Sequence, residues 1–209
     1  MDAISGDSLI RDDAALDAIY GESPAGAIAK EIDYIHPHYR AMIEASPFVV
    51  LATSGPEGLD CSPRGDPAGF VHVLDEKTLL IPDRRGNNRI DSLRNIIRDD
   101  RVALLFLIPG IGETLRVNGR ATISAAPELI GRFPFRGTLP RTVIVVRAES
   151  VYFQCPKALV RSELWNPEKQ ISRKSLPSTG TILADITAGK VGGEQYDRDY
   201  PERLRTTIY

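Results

Sequence analysis

The segment Asp83-Arg84-Arg85-Gly86-Asn87-Asn88-Arg89 sets three guanidinium groups around a Gly-Asn-Asn turn, just before an amphipathic stretch that begins at Ile90. A phosphate monoester is held best by planar guanidinium forks, backbone N–H groups and the positive end of a helix dipole, and this segment offers all three. The same residues also describe a solvated basic turn, and spacing alone leaves both readings open. A second candidate is Cys61-Ser62-Pro63-Arg64-Gly65-Asp66, where Arg64 is placed to reach the same anion and Ser62 offers a hydroxyl; it reads equally as an ordinary surface strand end. The third is Gln154-Cys155-Pro156-Lys157-Ala158-Leu159-Val160-Arg161-Ser162-Glu163-Leu164-Trp165. On a helix opening at Pro156, Lys157, Arg161 and Trp165 recur every fourth residue and share one face. An anion beside an aromatic system suits that face, and so does a basic stripe with a core-packing Trp.

Other chemistries lack their residues. His36 and His38 flank Pro37 with no carboxylate or cysteine cluster nearby, so no metal site is expected. No Ser-His-Asp or Cys-His arrangement has recognisable local context, and catalytic residues stay unassigned. The Gly-rich segments match neither the dinucleotide nor the P-loop pattern. Cys61 and Cys155 stand far apart without Cys-x-x-Cys spacing and are expected to be reduced thiols.

The elements that must position these residues change character along the chain. Residues 6–45 read as helix: Ser8 can cap a segment with Leu9, Ala15, Leu16 and Ile19 at helical spacing, Gly21 can stop it, Ser23-Pro24 can restart it with Ile28, Ile32 and Ile35 on one face, and Pro37 opens a third helix to about Ala45. From Phe48 the period becomes that of strands. Residues 48–54, a second run from Leu59, 70–74 and 78–82 are joined by the turns Gly55-Pro56-Glu57-Gly58 and Asp75-Glu76-Lys77, which predicts a meander with the Arg64 strand end beside the arginine loop. A helix over 90–97 carries Ile90, Leu93, Ile96 and Ile97 on one stripe. Strands over 102–108 and 115–123, a short helix over 127–133 and a long strand over 142–153 follow. Six or seven antiparallel strands with helices at insertions and ends predict a mainly β fold, closed or nearly closed as a barrel, since closure removes edges.

Composition narrows the partners. With 26 basic and 28 acidic residues the net charge is −2, so no broad field draws nucleic acid or an anionic membrane. The apolar run at 102–109 is too short to span a bilayer, and the acidic start at Asp2, Asp7, Asp12 and Asp13 is unlike a signal peptide, so a cytoplasmic location is expected.

Taken in order, these pieces resemble the pyridoxamine 5'-phosphate oxidase-like family of flavin mononucleotide (FMN)-binding split β-barrels. The likeness runs from about Ala45 to Trp165 through Phe48-Val49-Val50-Leu51-Ala52-Thr53, Ser62-Pro63-Arg64-Gly65-Asp66, the arginine loop, Leu93-Arg94-Asn95, Arg101-Val102-Ala103-Leu104-Leu105-Phe106 and Leu115-Arg116-Val117-Asn118-Gly119-Arg120-Ala121. Within the family the chain is similar to a branch of FMN-dependent enzymes with a helical N-terminal extension, on the strength of Gln-Cys-x-Lys-Ala and Arg-Ser-x-Leu-Trp, here residues 154–158 and 161–165. The resemblance implies a six- to seven-stranded antiparallel split barrel over 46–165, a helical extension over 1–45, and a tail over 166–209 packing on the barrel or a partner subunit. It implies that Arg85 and Arg89, with Arg84 and Asn88, hold the FMN phosphate, that Ser62, Arg64 and Thr114 line the flavin, and that Lys157, Arg161 and Trp165 reach their own site or the partner's in a homodimer with FMN at the interface. Gly69 stands where the oxidase proper has a strand lysine, Asn87-Asn88-Arg89 replaces its Ser-Arg-Lys, and its Arg-Leu-Ala-Pro-like ending is missing. The expected function is therefore an FMN-dependent oxidoreductase acting on an unassigned small molecule or electron donor. The alternatives are a non-catalytic flavin binder or sensor, or a barrel of the same class that takes a deazaflavin or haem.

Overall fold

The computed structural model describes residues 9–209. Its strands are β1 (Phe48–Gly55), β2 (Gly58–Gly65), β3 (His72–Val73), β4 (Thr78–Asp83), β5 (Arg101–Leu107), β6 (Thr114–Ser124) and β7 (Thr142–Gln154). The helices are α1 (Asp13–Tyr20), α2 (Ala25–Ala29), α3 (Pro37–Ala45), α4 (Asp91–Arg98), α5 (Pro127–Ile130), α6 (Lys157–Ser162), α7 (Thr179–Ile186) and α8 (Gly193–Thr207). No helix among the described residues is long and apolar enough to cross a membrane.

Alternation builds the core. Val49, Leu51 and Thr53 of β1, Val102, Leu104 and Phe106 of β5, and Leu115, Val117 and Ala121 of β6 point inward and are buried, while Val50, Ala52, Ala103 and Leu105 between them are half-buried on the outer face. β4 departs from alternation because both its faces are covered: Leu79 and Ile81 join the main core, and Leu80 packs on the other side with Phe133 and Val143. The helix predicted over 127–133 stops at Ile130, and Phe133 beyond it packs on the outer face of β4.

The seven strands form one antiparallel sheet in the order β2-β1-β5-β6-β7-β4-β3, a split β-barrel with peripheral helices. The predicted meander is thus corrected. β1 and β2 form a hairpin, but β2 does not pair with β3; the chain leaves the sheet and β4 re-enters on the far side, against β7. No ladder joins β2 and β4, and each carries a proline without an N–H donor, Pro63 and Pro82. The curled sheet brings them together all the same, and Arg64 of β2 bonds Asp83 of β4 across the gap at 2.7 Å. Side-chain ion pairing replaces the ladder at the split.

The helical preface is also rearranged. Asp12 caps α1 by accepting the Ala15 N–H at 2.9 Å; the predicted Ser8 cap lies outside the described residues. Ile32 and Ile35 are not helical. Ile32 exchanges both backbone hydrogen bonds with Val151 of β7, and the Ile35 N–H donates to Glu76 at 2.7 Å. The β6/β7 register shifts at Asn118/Gly119, and the long strand beyond that bulge offers backbone partners that win over helix continuation. The tail forms a second helical pair. Asp197 of α8 accepts from the Ser178 hydroxyl and from the Gly180 N–H, tying α8 to the start of α7.

Candidate functional site

α4 rests on β1 through Asn95, whose amide donates to Thr53 Oγ1 at 3.1 Å. A Cβ on Gly55 would come within 2.2 Å of the Asn95 side chain, so the glycine permits this seat. The seat aims the first turn of α4 at the split. There β2, the loop after β4, the start of α4 and the start of β7 enclose a cleft of about 660 Å³. Its size lies within the range of small-molecule sites. Ile90 precedes α4 in a left-handed conformation, φ 52°, and caps no N–H with its side chain, so the first N–H groups of the helix face the cleft without a capping side chain. Asn88 is left-handed too, φ 62°, and the Arg89 N–H donates to Asn87 Oδ1 at 3.0 Å, which folds the loop back on itself.

Arginines dominate the walls and most are engaged. Arg64 Nη1 bonds Asp83 Oδ1 at 2.7 Å. Arg84 Nε bonds Asp66 Oδ2 at 2.7 Å, its Nη1 donates to the Phe133 carbonyl at 2.9 Å, and the Asp66 side chain is 1% exposed. Arg89 reaches Asp91 through Nε at 2.8 Å and Nη2 at 2.7 Å, out in solvent. Burial pushes the Asp83 carboxyl above its ordinary value, more than the neighbouring Arg64 and Arg141 pull it down. Two buried polar atoms on the walls have no partner: Arg64 Nε and Thr142 Oγ1.

On the β2 wall, Asp60, Ser62 and Arg64 share one face by strand alternation. The Ser92 hydroxyl, buried at the start of α4, donates to Asp60 Oδ2 at 2.6 Å, and its oxygen lies 3.0 Å from Ser62 Oγ. A hydroxyl has one proton. With the Ser92 proton on Asp60, Ser62 must donate to Ser92, and the Ser62 oxygen meets the cleft as an acceptor. The cleft therefore combines cationic donors at the arginine loop with an acceptor on the β2 wall, an arrangement suited to a ligand with an anionic group and an N–H or O–H.

Of the residues singled out from sequence, Ser62, Arg64, Arg84, Arg85, Asn88 and Arg89 come together around this cleft. Arg64 and Arg84 do so as ion-pair struts across the split. Thr114, Lys157, Arg161 and Trp165 lie outside its lining. Thr114 is buried at the start of β6 and donates to Gln154 Oε1 at 3.3 Å. Lys157 and Arg161 are on α6, but the helix ends at Ser162 and Glu163 is left-handed, φ 50°, so Trp165 does not continue their face as predicted; its indole donates to the Ile111 carbonyl at 2.8 Å. Sequence reasoning missed Asp60, Ser92, Arg141 and Thr142. Asp60 and Ser62 at i, i+2 on a strand were a legible signal. Arg141 belongs to no motif and enters only because β7 lies beside β4, with Asp83 opposite Thr142.

Comparison with known proteins gives the following. The family model described as pyridoxamine 5'-phosphate oxidase matches residues 35–155, more than half of the chain. Among solved structures, HupZ of Group A Streptococcus is 16% identical, covering 58% of this chain and 94% of its own, with a TM-score of 0.48. A Lactobacillus delbrueckii protein named for pyridoxamine 5'-phosphate oxidase is 20% identical, covering 58% and 95%, with a TM-score of 0.46. General Stress Protein 26 of Bacillus anthracis is 18% identical, covering 54% and 88%, with a TM-score of 0.38. No curated protein matches the chain. The matched stretch runs from Ile35 through β2, the arginine loop and α4 to the end of β7 and so contains every wall of the cleft: the chain belongs to the pyridoxamine 5'-phosphate oxidase family.

Proposed function

We propose that the chain is an FMN-binding flavoprotein, an FMN-dependent oxidoreductase acting on a small molecule, with the cofactor phosphate at Arg85, Arg89 and the adjoining Arg84 and Asn88. The observation that carries the reading is the arginine loop at the uncapped start of α4, in a cleft large enough for a mononucleotide. The donor chemistry fits: guanidinium groups and helix N–H groups for a phosphate, the orphaned Arg64 Nε for a carbonyl, and the Ser62 oxygen for a ring N–H. When bound, FMN would supply hydride and electron transfer; the protein's own residues anchor and orient it. No residue on the cleft walls is assigned as an acid or base.

The active form in this reading is a cytoplasmic homodimer. Cross-strand pairs Phe48/Leu107, Val50/Leu105 and Ala52/Ala103 form a partly exposed apolar ladder on the outer face of β1 and β5, the kind of surface a second subunit covers. Thr114, Lys157, Arg161 and Trp165, away from the cleft of their own chain, would then serve the partner's site or line the flavin from the interface.

Absorption of freshly purified protein, followed by release and identification of the chromophore, tests the assignment. The flavin should bleach with NADH or NADPH and recover in air. A colourless protein that takes up no added FMN refutes the reading, and flavin without turnover from any donor leaves a binder or sensor. Arg85→Ala combined with Arg89→Ala should lose FMN while the fold is kept.

A further inference from the structure

We infer that Arg141, at the entry to β7, completes with Arg85 a two-guanidinium clamp for a phosphate monoester; the assignment of FMN as its ligand rests on the reading above. The cleft is lined by Arg64, Arg84, Arg85, Arg89 and Arg141. Three of these are neutralised by carboxylates, Arg64 by Asp83, Arg84 by Asp66 and Arg89 by Asp91. Arg85 and Arg141 have no carboxylate partner among the described residues. A phosphate monoester carries close to two negative charges at neutral pH, which two uncommitted guanidinium groups match and a neutralised pair does not.

Position agrees with charge. β4 and β7 are antiparallel with Asp83 opposite Thr142, so the chain leaving β4 toward Arg85 and the chain entering β7 at Arg141 emerge side by side. Arg141 is close enough for its charge to bear on the Asp83 carboxyl. Its one side-chain hydrogen bond is a long contact of 3.4 Å from Nη1 to Asn88 Oδ1, outside the usual N–H···O range, so its fork stays available while lightly tied to the arginine loop. Next to it, Thr142 lines the cleft, and its buried Oγ1 has no hydrogen-bond partner. Arg89, by contrast, holds Asp91 with two nitrogens, and an incoming phosphate must compete for it.

The test compares wild type with Arg141→Gln, Arg141→Lys and Arg89→Gln, using FMN and riboflavin by flavin fluorescence and inorganic phosphate by phosphorus NMR line broadening. Arg141→Gln should weaken FMN by about 10- to 100-fold, the loss expected for a charge-assisted pair, while riboflavin affinity and the thermal midpoint stay as in wild type. Arg141→Lys should recover part of the loss, keeping the charge without the fork. Arg89→Gln should cost less than Arg141→Gln. Unchanged FMN affinity in Arg141→Gln, or an equal loss for riboflavin, overturns the clamp. If wild type binds neither flavin, the FMN assignment fails and phosphate decides the clamp alone: broadening lost in Arg141→Gln sustains it, and broadening kept there or missing in wild type overturns it.

Discussion

Replacing Arg84 with alanine should damage the fold, whereas replacing its neighbour Arg85 should not. Arg84 is 16% exposed and Asp66 1%, so their pair is largely shielded from water. Removing one partner of a buried pair typically costs about 3–5 kcal/mol, because the remaining charge stays desolvated. The lower end applies here, since Tyr209 Oη still donates to Asp66 at 2.9 Å. The Phe133 carbonyl loses its Arg84 donor as well, for about 1 kcal/mol. The total is about 4 kcal/mol, and at about 2–4 °C per kcal/mol for a chain of this size the thermal midpoint should fall by about 8–16 °C. Arg85 is exposed and makes no ion pair among the described residues, so Arg85→Ala should stay within about 0.5 kcal/mol of wild type. Urea unfolding with a common m-value measures both. Arg84→Met with Asp66→Leu should recover most of the loss, since apolar replacement of both partners avoids the stranded charge. A midpoint shift below about 2 °C in Arg84→Ala, or no recovery in the double variant, would refute the argument that this pair braces the split.

Other expectations follow from local geometry. Ile90→Gly should raise stability by about 1 kcal/mol in urea titration, because a β-branched residue at φ 52° is strained, and should weaken ligand binding by loosening the loop. Ser92→Ala removes a donor from the half-buried Asp60 and frees Ser62 to rotate; a loss of about 1 kcal/mol in stability, read from the same titration, would match one lost hydrogen bond. The Ser178 hydroxyl and the Gly180 N–H hold Asp197 below its ordinary 3.8, so its stabilisation is complete above that value and is lost as pH falls through the lower, folded one. Protection of α7 and α8 amides, relative to the intrinsic exchange rate at each pH, should therefore fall on acidification in wild type and be insensitive to this step in Asp197→Asn. For the proposed homodimer, Leu105→Glu on the outer face of β5 should leave a species sedimenting as a monomer, and a wild type that already sediments as a monomer would refute the dimer.

The strands were legible because period-two alternation is strong in β1, β5 and β6, where one face is packed. β3 was overcalled: Phe70 and Val71 are buried as a loop, and only His72 and Val73 pair with β4. Ile32 and Ile35 kept helical spacing but answered to distant backbone, Ile32 to Val151 of β7 and Ile35 to the Glu76 carbonyl, partners that local pattern cannot reveal. The arginine loop was legible as a cluster of guanidinium groups by composition, but which arginines are free of carboxylates depended on Asp66, Asp83 and Asp91. Sequence shows a charge count, whereas pairing needs the register that puts β2 across from β4. The Lys157, Arg161 and Trp165 face failed because a helix end at a non-glycine left-handed residue, Glu163, carries no sequence signal.

The strand order has a consequence for synthesis. β4 finds its long antiparallel partner only when β7 emerges, about 60 residues later, or roughly 3–12 s at ordinary elongation rates. Until then Leu79, Leu80 and Ile81 have only the two-residue β3 to pair with. The nascent chain thus holds an apolar strand in waiting, which chaperones would recognise, and the cleft is among the last features of the molecule to take shape.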